Sequence, residues 1–94
     1  MLNQVILIGR IKEFKEKKEN TILTLAVPQS FKNTDGIYNT DFIDIKLFGT
    51  IASNTKEYCK TGDMIGIKAR IQRIDVDEPM ELIAKNVTFL SSKR

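Results

Sequence analysis

The chain has no histidine and a single cysteine, Cys59, among its 94 residues. Lack of histidine removes the commonest general base and every catalytic triad built on imidazole. One cysteine permits neither an internal disulfide nor a cysteine-rich zinc site, and its place after Tyr58 in a predicted helix suggests a buried thiol. No run of about 18 apolar residues is present, so no membrane-spanning helix is expected. The start, Met1-Leu2-Asn3-Gln4, has no basic segment ahead of an apolar stretch and does not read as a secretion signal. These absences weigh against an enzyme, and neither cofactor nor metal is expected. The acidic turn Asp75-Val76-Asp77-Glu78-Pro79 offers carboxylates for a divalent cation but lacks a complete loop motif.

What is present fits one globular domain over residues 1–94, with 41% hydrophobic and 29% charged residues. Fifteen bases against 12 acids leave a formal net charge of +3, which permits a polyanionic partner without demanding one. The stretch Thr40 to Phe48 is the most informative. Side chains alternate across a strand, so Ile43, Ile45 and Leu47 form one apolar face. Phe42, Asp44, Lys46 and Phe48 form the other. Aromatics interleaved with a cation make a platform for stacked bases and phosphates. The same pattern also arises where both faces of a strand are covered by a helix or a second sheet.

Along the rest of the chain, Leu2–Ile11 reads as a first strand apolar on both faces, Val5 and Leu7 on one and Ile6 and Ile8 on the other. In so small a domain, a strand of this kind is expected to meet another subunit. Gly9 interrupts it as a bulge or sharp coil. The mixed-charge segment Lys12–Asn20 reads as a strand end and turn whose Lys15, Lys17 and Lys18 could rim a phosphate path, with Phe14 either core or a base contact. Thr21–Val27 is a second strand, ended by Pro28. Gln29–Asn39 is a loop or hairpin tip around the turn signal Asp35-Gly36, carrying Phe31, Lys32 and Tyr38 in polar surroundings. A short helix follows Gly49, with Thr50 as N-cap, Ile51, Thr55, Tyr58 and Cys59 on its inner side and Gly62 as its left-handed stop. Met64–Ile74 is a fourth strand, with Ile65, Ile67, Ala69 and Ile71 inward and Lys68 and Arg70 outward. Met80–Leu90 is the fifth, and the chain closes on a polar Ser91–Arg94.

Strands one to three, a helix, then strands four and five is the order of an all-β, five-stranded Greek-key barrel of the oligonucleotide-binding (OB) type. Such barrels present strands two and three to their ligand, where Phe31, Tyr38, Phe42, Lys46 and Phe48 fall.

The order and spacing of several segments resemble bacterial single-stranded DNA-binding proteins over nearly the whole chain. They are Met1–Ile11, Thr24–Val27, Thr40-Asp41-Phe42-Ile43, Lys46-Leu47-Phe48-Gly49, Tyr58–Asp63, Lys68–Gln72 and Val87–Leu90. The resemblance implies base stacking at Phe31, Phe42 and Phe48, with Tyr38 a weaker candidate. Lys32, Lys46, Lys68 and Arg70 are the expected phosphate contacts. It also implies a homotetramer, or a dimer, paired through Val5, Ile6, Leu7 and Ile8, a cytoplasmic location, and replication or recombination proteins as partners. The loop between the first two strands and that at Asp75–Pro79 are shorter than in the family, and Val76 stands nearest to a further stacking aromatic. The family's acidic, flexible tail is not in this sequence, which points to a shortened chain or a phage or plasmid relative. Primosomal replication proteins of the same fold, which dock a helicase or other protein, are the alternative. An enzyme, such as a nuclease using Asp41, Asp44 and Glu57 with a metal, is the remote third reading.

Overall fold

One long strand is shared by both halves of the molecule. In the computed structural model, which describes residues 1–92, β1 (Val5–Glu16) pairs with β4 (Met64–Gln72) through its first half and with β2 (Thr21–Lys32) through its second. β2 pairs antiparallel with β3 (Tyr38–Leu47), and β4 with β5 (Glu81–Ser91). A parallel contact between Lys46 and Ile83 joins β3 to β5 and closes the barrel in the order β1-β2-β3-β5-β4. The helix α1 (Gly49–Tyr58) lies between β3 and β4 in sequence. This is the expected five-stranded OB barrel with one short helix.

Two features bend β1 between its partners. Gly9 sits where a Cβ would lie 2.4 Å from the Ala26 carbonyl oxygen and 3.1 Å from Leu25, so the closeness of β1 to β2 requires glycine. Lys12 is then a bulge residue: Ile11 faces Leu25, Glu13 faces Thr24, and nothing on β2 faces Lys12. The bulge lets Ile11 and Phe14, three residues apart, both turn inward. The backbone of Ile11 donates to the Asp63 carbonyl and accepts from Gly62, tying the loop after α1 to the middle of β1. A corresponding bulge at Lys85 in β5 lets Ala84 and Val87 both reach the core.

The core is aliphatic, centred on Ile11, Leu23, Leu25, Ile45, Leu47, Ile65 and Ile67. α1 plugs one end with Ala52 and Thr55, and Cys59 is buried beside them, with burial raising its thiol pKa above the ordinary value. An ion pair of 2.6 Å from Lys56 to Glu16 links α1 to the end of β1, where Thr21 also donates to Glu16.

Several sequence expectations are corrected here. β1 begins at Val5, not Leu2, and runs to Glu16, so the charged segment read as a strand end and turn divides into strand at Lys12–Glu16 and turn at Lys17–Asn20. Pro28 does not end β2, because it faces Thr40 across an irregular ladder that resumes at Lys32 and Tyr38. The loop 29–39 therefore shrinks to a tight turn from Asn33 to Ile37, with Gly36 at positive φ as its Asp-Gly signal requires. Phe48, not Thr50, occupies the N-cap and makes no side-chain cap bond; Gly49 at φ +56° turns the chain into the helix instead. Tyr58 is exposed, because the helix ends there and Cys59 is buried in extended backbone. Ile71 is exposed at the end of β4, which stops at Gln72 rather than Ile74. β5 begins at Glu81 rather than Met80 and extends to Ser91, while Lys93 and Arg94 of the polar close lie outside the described residues.

Candidate nucleic-acid interface

The outer face of β3 and the ribbon it forms with the end of β2 carry the aromatic side chains. Phe31, Tyr38, Phe42 and Phe48 are between 42% and 68% exposed, although each could have been buried had the sheet been covered. Phe42 is flanked on β2 by Ala26, a small side chain that leaves the ring uncovered on that side. Phe31 and Tyr38 lie on the arm beyond Pro28, which Asn33 stiffens by accepting from the backbone of Asp35 and Ile37 through its side-chain oxygen. Phe48 follows β3 at the helix entry. Phe14, the remaining open case, packs against the core.

Cations stand over two of these rings. Lys32 Nζ lies 5.6 Å from the Tyr38 ring centroid, and Lys12 Nζ lies 5.3 Å from that of Phe42. Lys12 was not among the expected phosphate contacts. Its signal was unreadable locally, since only the bulge brings it beside Phe42.

The other expected cations divide. Lys46 is on the same face of β3 as Phe42 but is bound to Glu81 of β5 in an ion pair of 2.8 Å. The second Glu81 oxygen accepts from Gln72 at 3.2 Å, and these donors hold its pKa below the ordinary carboxylate value. Asp44 accepts from the Thr24 hydroxyl at 2.6 Å and is not the partner of Lys46. Next to them a cleft of about 340 Å³ opens, lined among others by Lys15, Lys17, Asp44, Lys46, Met80 and Glu81. Arg70 belongs to the same belt, for one line of register runs Lys15, Ile22, Lys46, Ile83, Arg70. Lys68 does not. It stands between Ile6 and Asn86 on the far side of the barrel.

That far side is apolar. Ile6 and Ile8 are 66% and 56% exposed, and a Cβ on Gly66 would touch both Ile8 and Leu90 at 3.9 Å, so these groups adjoin. Leu7 faces inward against the core, opposite the buried Ile67, and Val5 lies opposite the buried Ala69. The exposed half of the expected subunit interface is therefore Ile6 and Ile8, with Val5 and Leu7 corrected to the inner face. Asp41 accepts from Gln29, and among the described residues no three histidine, cysteine or acidic side chains group as metal ligands. Asp41, Asp44 and Glu57 thus do not assemble a metal centre, and neither does the Asp75–Glu78 turn.

A closed five-stranded barrel with its helix after the third strand, bearing aromatics and lysines on strands two and three, defines an OB-fold of the nucleic-acid-binding kind. The profile of the Single-strand binding protein family matches residues 2–90. The chain belongs to that family. It is 31% identical to single-stranded DNA-binding protein B of Bacillus subtilis, covering 99% of this chain and 94% of that protein. With single-stranded DNA-binding protein 1 of Clostridium acetobutylicum it shares 32% identity, over 99% and 97% of the two chains. The first alignment spans 106 positions, more than the 94 residues present here, so the Bacillus protein carries residues that this chain omits. Among solved structures, a small single-stranded DNA-binding protein from Mycoplasma pneumoniae superposes with a TM-score of 0.76 over the whole of both chains at 18% identity. A mitochondrial single-stranded DNA-binding protein from S. cerevisiae gives 0.73, over 98% and 99% of the chains at 23% identity.

Proposed function

We propose that this protein binds single-stranded DNA with little regard to sequence and protects it during replication, recombination or repair. The observation that carries the reading is the set of exposed rings, Phe31, Tyr38 and Phe42 on β2 and β3 and Phe48 just beyond, with a lysine over Tyr38 and another over Phe42. An unpaired base has a π-face to lay on each ring whatever its identity, and each stacked base contributes about 1–3 kcal/mol. Duplex bases are already stacked on one another and cannot do this. Lys12, Lys32, Lys15, Lys17 and Arg70 supply the phosphate contacts, with Lys46 available when it leaves Glu81. No bond is made or broken.

The assembly unit in this reading is a homo-oligomer, a dimer or tetramer, in which Ile6, Ile8 and Leu90 meet a second copy. Lys68, at the border of that patch, serves the subunit contact or a strand passing between subunits. The family match favours strand binding over the primosomal docking module. A fluorescence-anisotropy titration with labelled oligo-dT and with a duplex of equal length, at two salt concentrations, tests it. Tight, salt-sensitive binding to the single strand alone is expected. Equal or weak binding to both would instead make the aromatic face a docking site for a protein.

A further inference from the structure

The belt of cations beside the aromatic face contains its own anion. Of the three lysines on the cleft, Lys15 and Lys17 make no ion pair among the described residues, whereas Lys46 is engaged at 2.8 Å by Glu81. Gln72 donates to the other Glu81 oxygen at 3.2 Å, a second contact that keeps the carboxylate beside Lys46. Lys46 shares the outer face of β3 with Phe42, one outward position beyond Asp44. A phosphate following a base stacked on Phe42 toward the cleft therefore meets an ammonium already neutralised and a carboxylate beside it.

We propose that Glu81 is a built-in competitor for phosphate: in the free protein it occupies Lys46, and it thereby lowers both the affinity of the groove for a strand and the salt dependence of binding. The inference rests on the strand-binding reading above. Its physical basis is a charge balance. A lysine without a partner takes the place of a cation condensed on the strand and releases it, whereas Lys46 can do so only by leaving Glu81; while the pair holds, no phosphate is neutralised there and no counterion is released. The carboxylate keeps an open groove from holding DNA too tightly to release it to other proteins.

The test compares wild type with Glu81→Gln, which preserves shape and hydrogen-bonding capacity and removes the charge. Oligo-dT affinity is measured as a function of salt. The expected result is about three- to fivefold tighter binding at low salt, the upper part of what a surface ion pair can withhold, as suits a pair that is only partly exposed. The slope of log K against log salt should steepen by about 0.7, the increment for one more phosphate contact on a single strand. Removing any negative charge raises the general field, so Glu57→Gln, on the exposed side of α1, provides the baseline and should change both quantities much less. In a Lys46→Met background Glu81→Gln should give only a general-field gain, with no steepening of the salt slope, because no ammonium remains there to take a phosphate. Unchanged or weaker binding by Glu81→Gln, or an equal gain from Glu57→Gln, would overturn the proposal while leaving strand binding intact. Failure of wild type and variants alike to bind oligo-dT would overturn the strand-binding reading and this proposal with it.

Discussion

Replacing Phe42 by alanine separates a stacking ring from a core ring, because the structure assigns the two roles different magnitudes. The side chain is 59% exposed and faces outward opposite Ala26. A phenylalanine carries roughly 150–250 Å² of surface, so less than half of this remains covered, worth about 1.5–2.6 kcal/mol to the fold at about 25 cal/mol per Å². The Lys12 contact adds about 0.5–1 kcal/mol at an exposed position. A buried phenylalanine in the barrel interior would instead cost about 3–5 kcal/mol. On the binding side, losing one stacked base costs about 1–3 kcal/mol, equivalent to a roughly fivefold to 150-fold weaker strand affinity. Urea unfolding gives the first quantity and anisotropy with oligo-dT the second. Phe42→Leu sharpens the comparison, since it restores most of the packing and none of the planar stack: stability should recover while binding stays weak. The reasoning fails if Phe42→Ala unfolds the domain and binding per folded molecule is unchanged. It fails equally if Phe42→Leu binds as well as wild type.

Other perturbations follow from the same geometry. Ile8→Glu places a charge in the exposed patch shared with Ile6 and Leu90, and should reduce the sedimentation mass to that of one chain with the circular dichroism spectrum unchanged; an unaltered mass would remove this face from the subunit contact. Gly9→Ala forces a methyl against the Ala26 carbonyl and should destabilise by at least the upper end of the ~1–3 kcal/mol of ordinary overpacking, read as a fall in the urea midpoint. Asn3→Ala removes a pair of hydrogen bonds to the Ile71 backbone, of 2.6 and 2.8 Å, and should cost about 1 kcal/mol with faster exchange of the Ile71 amide. Lys56 and Thr21 hold the Glu16 carboxyl below its ordinary pKa, as Lys46 and Gln72 hold Glu81. Stability from both is complete above the ordinary carboxylate value and is lost as pH falls through their lowered values in the folded state. Glu16→Gln should thus lessen the acid-side decline of the melting temperature, and an identical decline would show that the pair contributes nothing.

The barrel was legible where alternation is uninterrupted. From Phe42 to Leu47 the two faces alternate, and Ile45 and Leu47 are buried as read. Where a bulge intervenes, period-two reading fails. Ile11 and Phe14 cannot share a face without Lys12 looping out, so the sequence left Phe14 open between core and surface. Val5 and Leu7 were placed with Ile6 and Ile8 because an apolar run does not say which side is the core. Pro28 lacks a donor, yet it was tolerated where the ladder is irregular, which extends the ribbon that presents Phe31 and Tyr38. The aromatic candidates needed only their own strand to be found. The pairings of Lys46 with Glu81 and of Lys12 with Phe42 depend on residues brought together by barrel closure and a bulge, and no local pattern records them.

The central claim is that bases lie on the outer face of β2 and β3. A titration of the isotope-labelled protein with a short oligo-dT, followed by amide and aromatic-ring chemical shifts, tests it most directly. The account predicts the largest changes at Phe31, Tyr38, Phe42 and Phe48, with upfield ring shifts from stacked thymines, extending to Lys12 and the cleft at Lys46. Changes concentrated instead at Ile6, Ile8 and Leu90 or along α1, with the four rings unmoved, would contradict it.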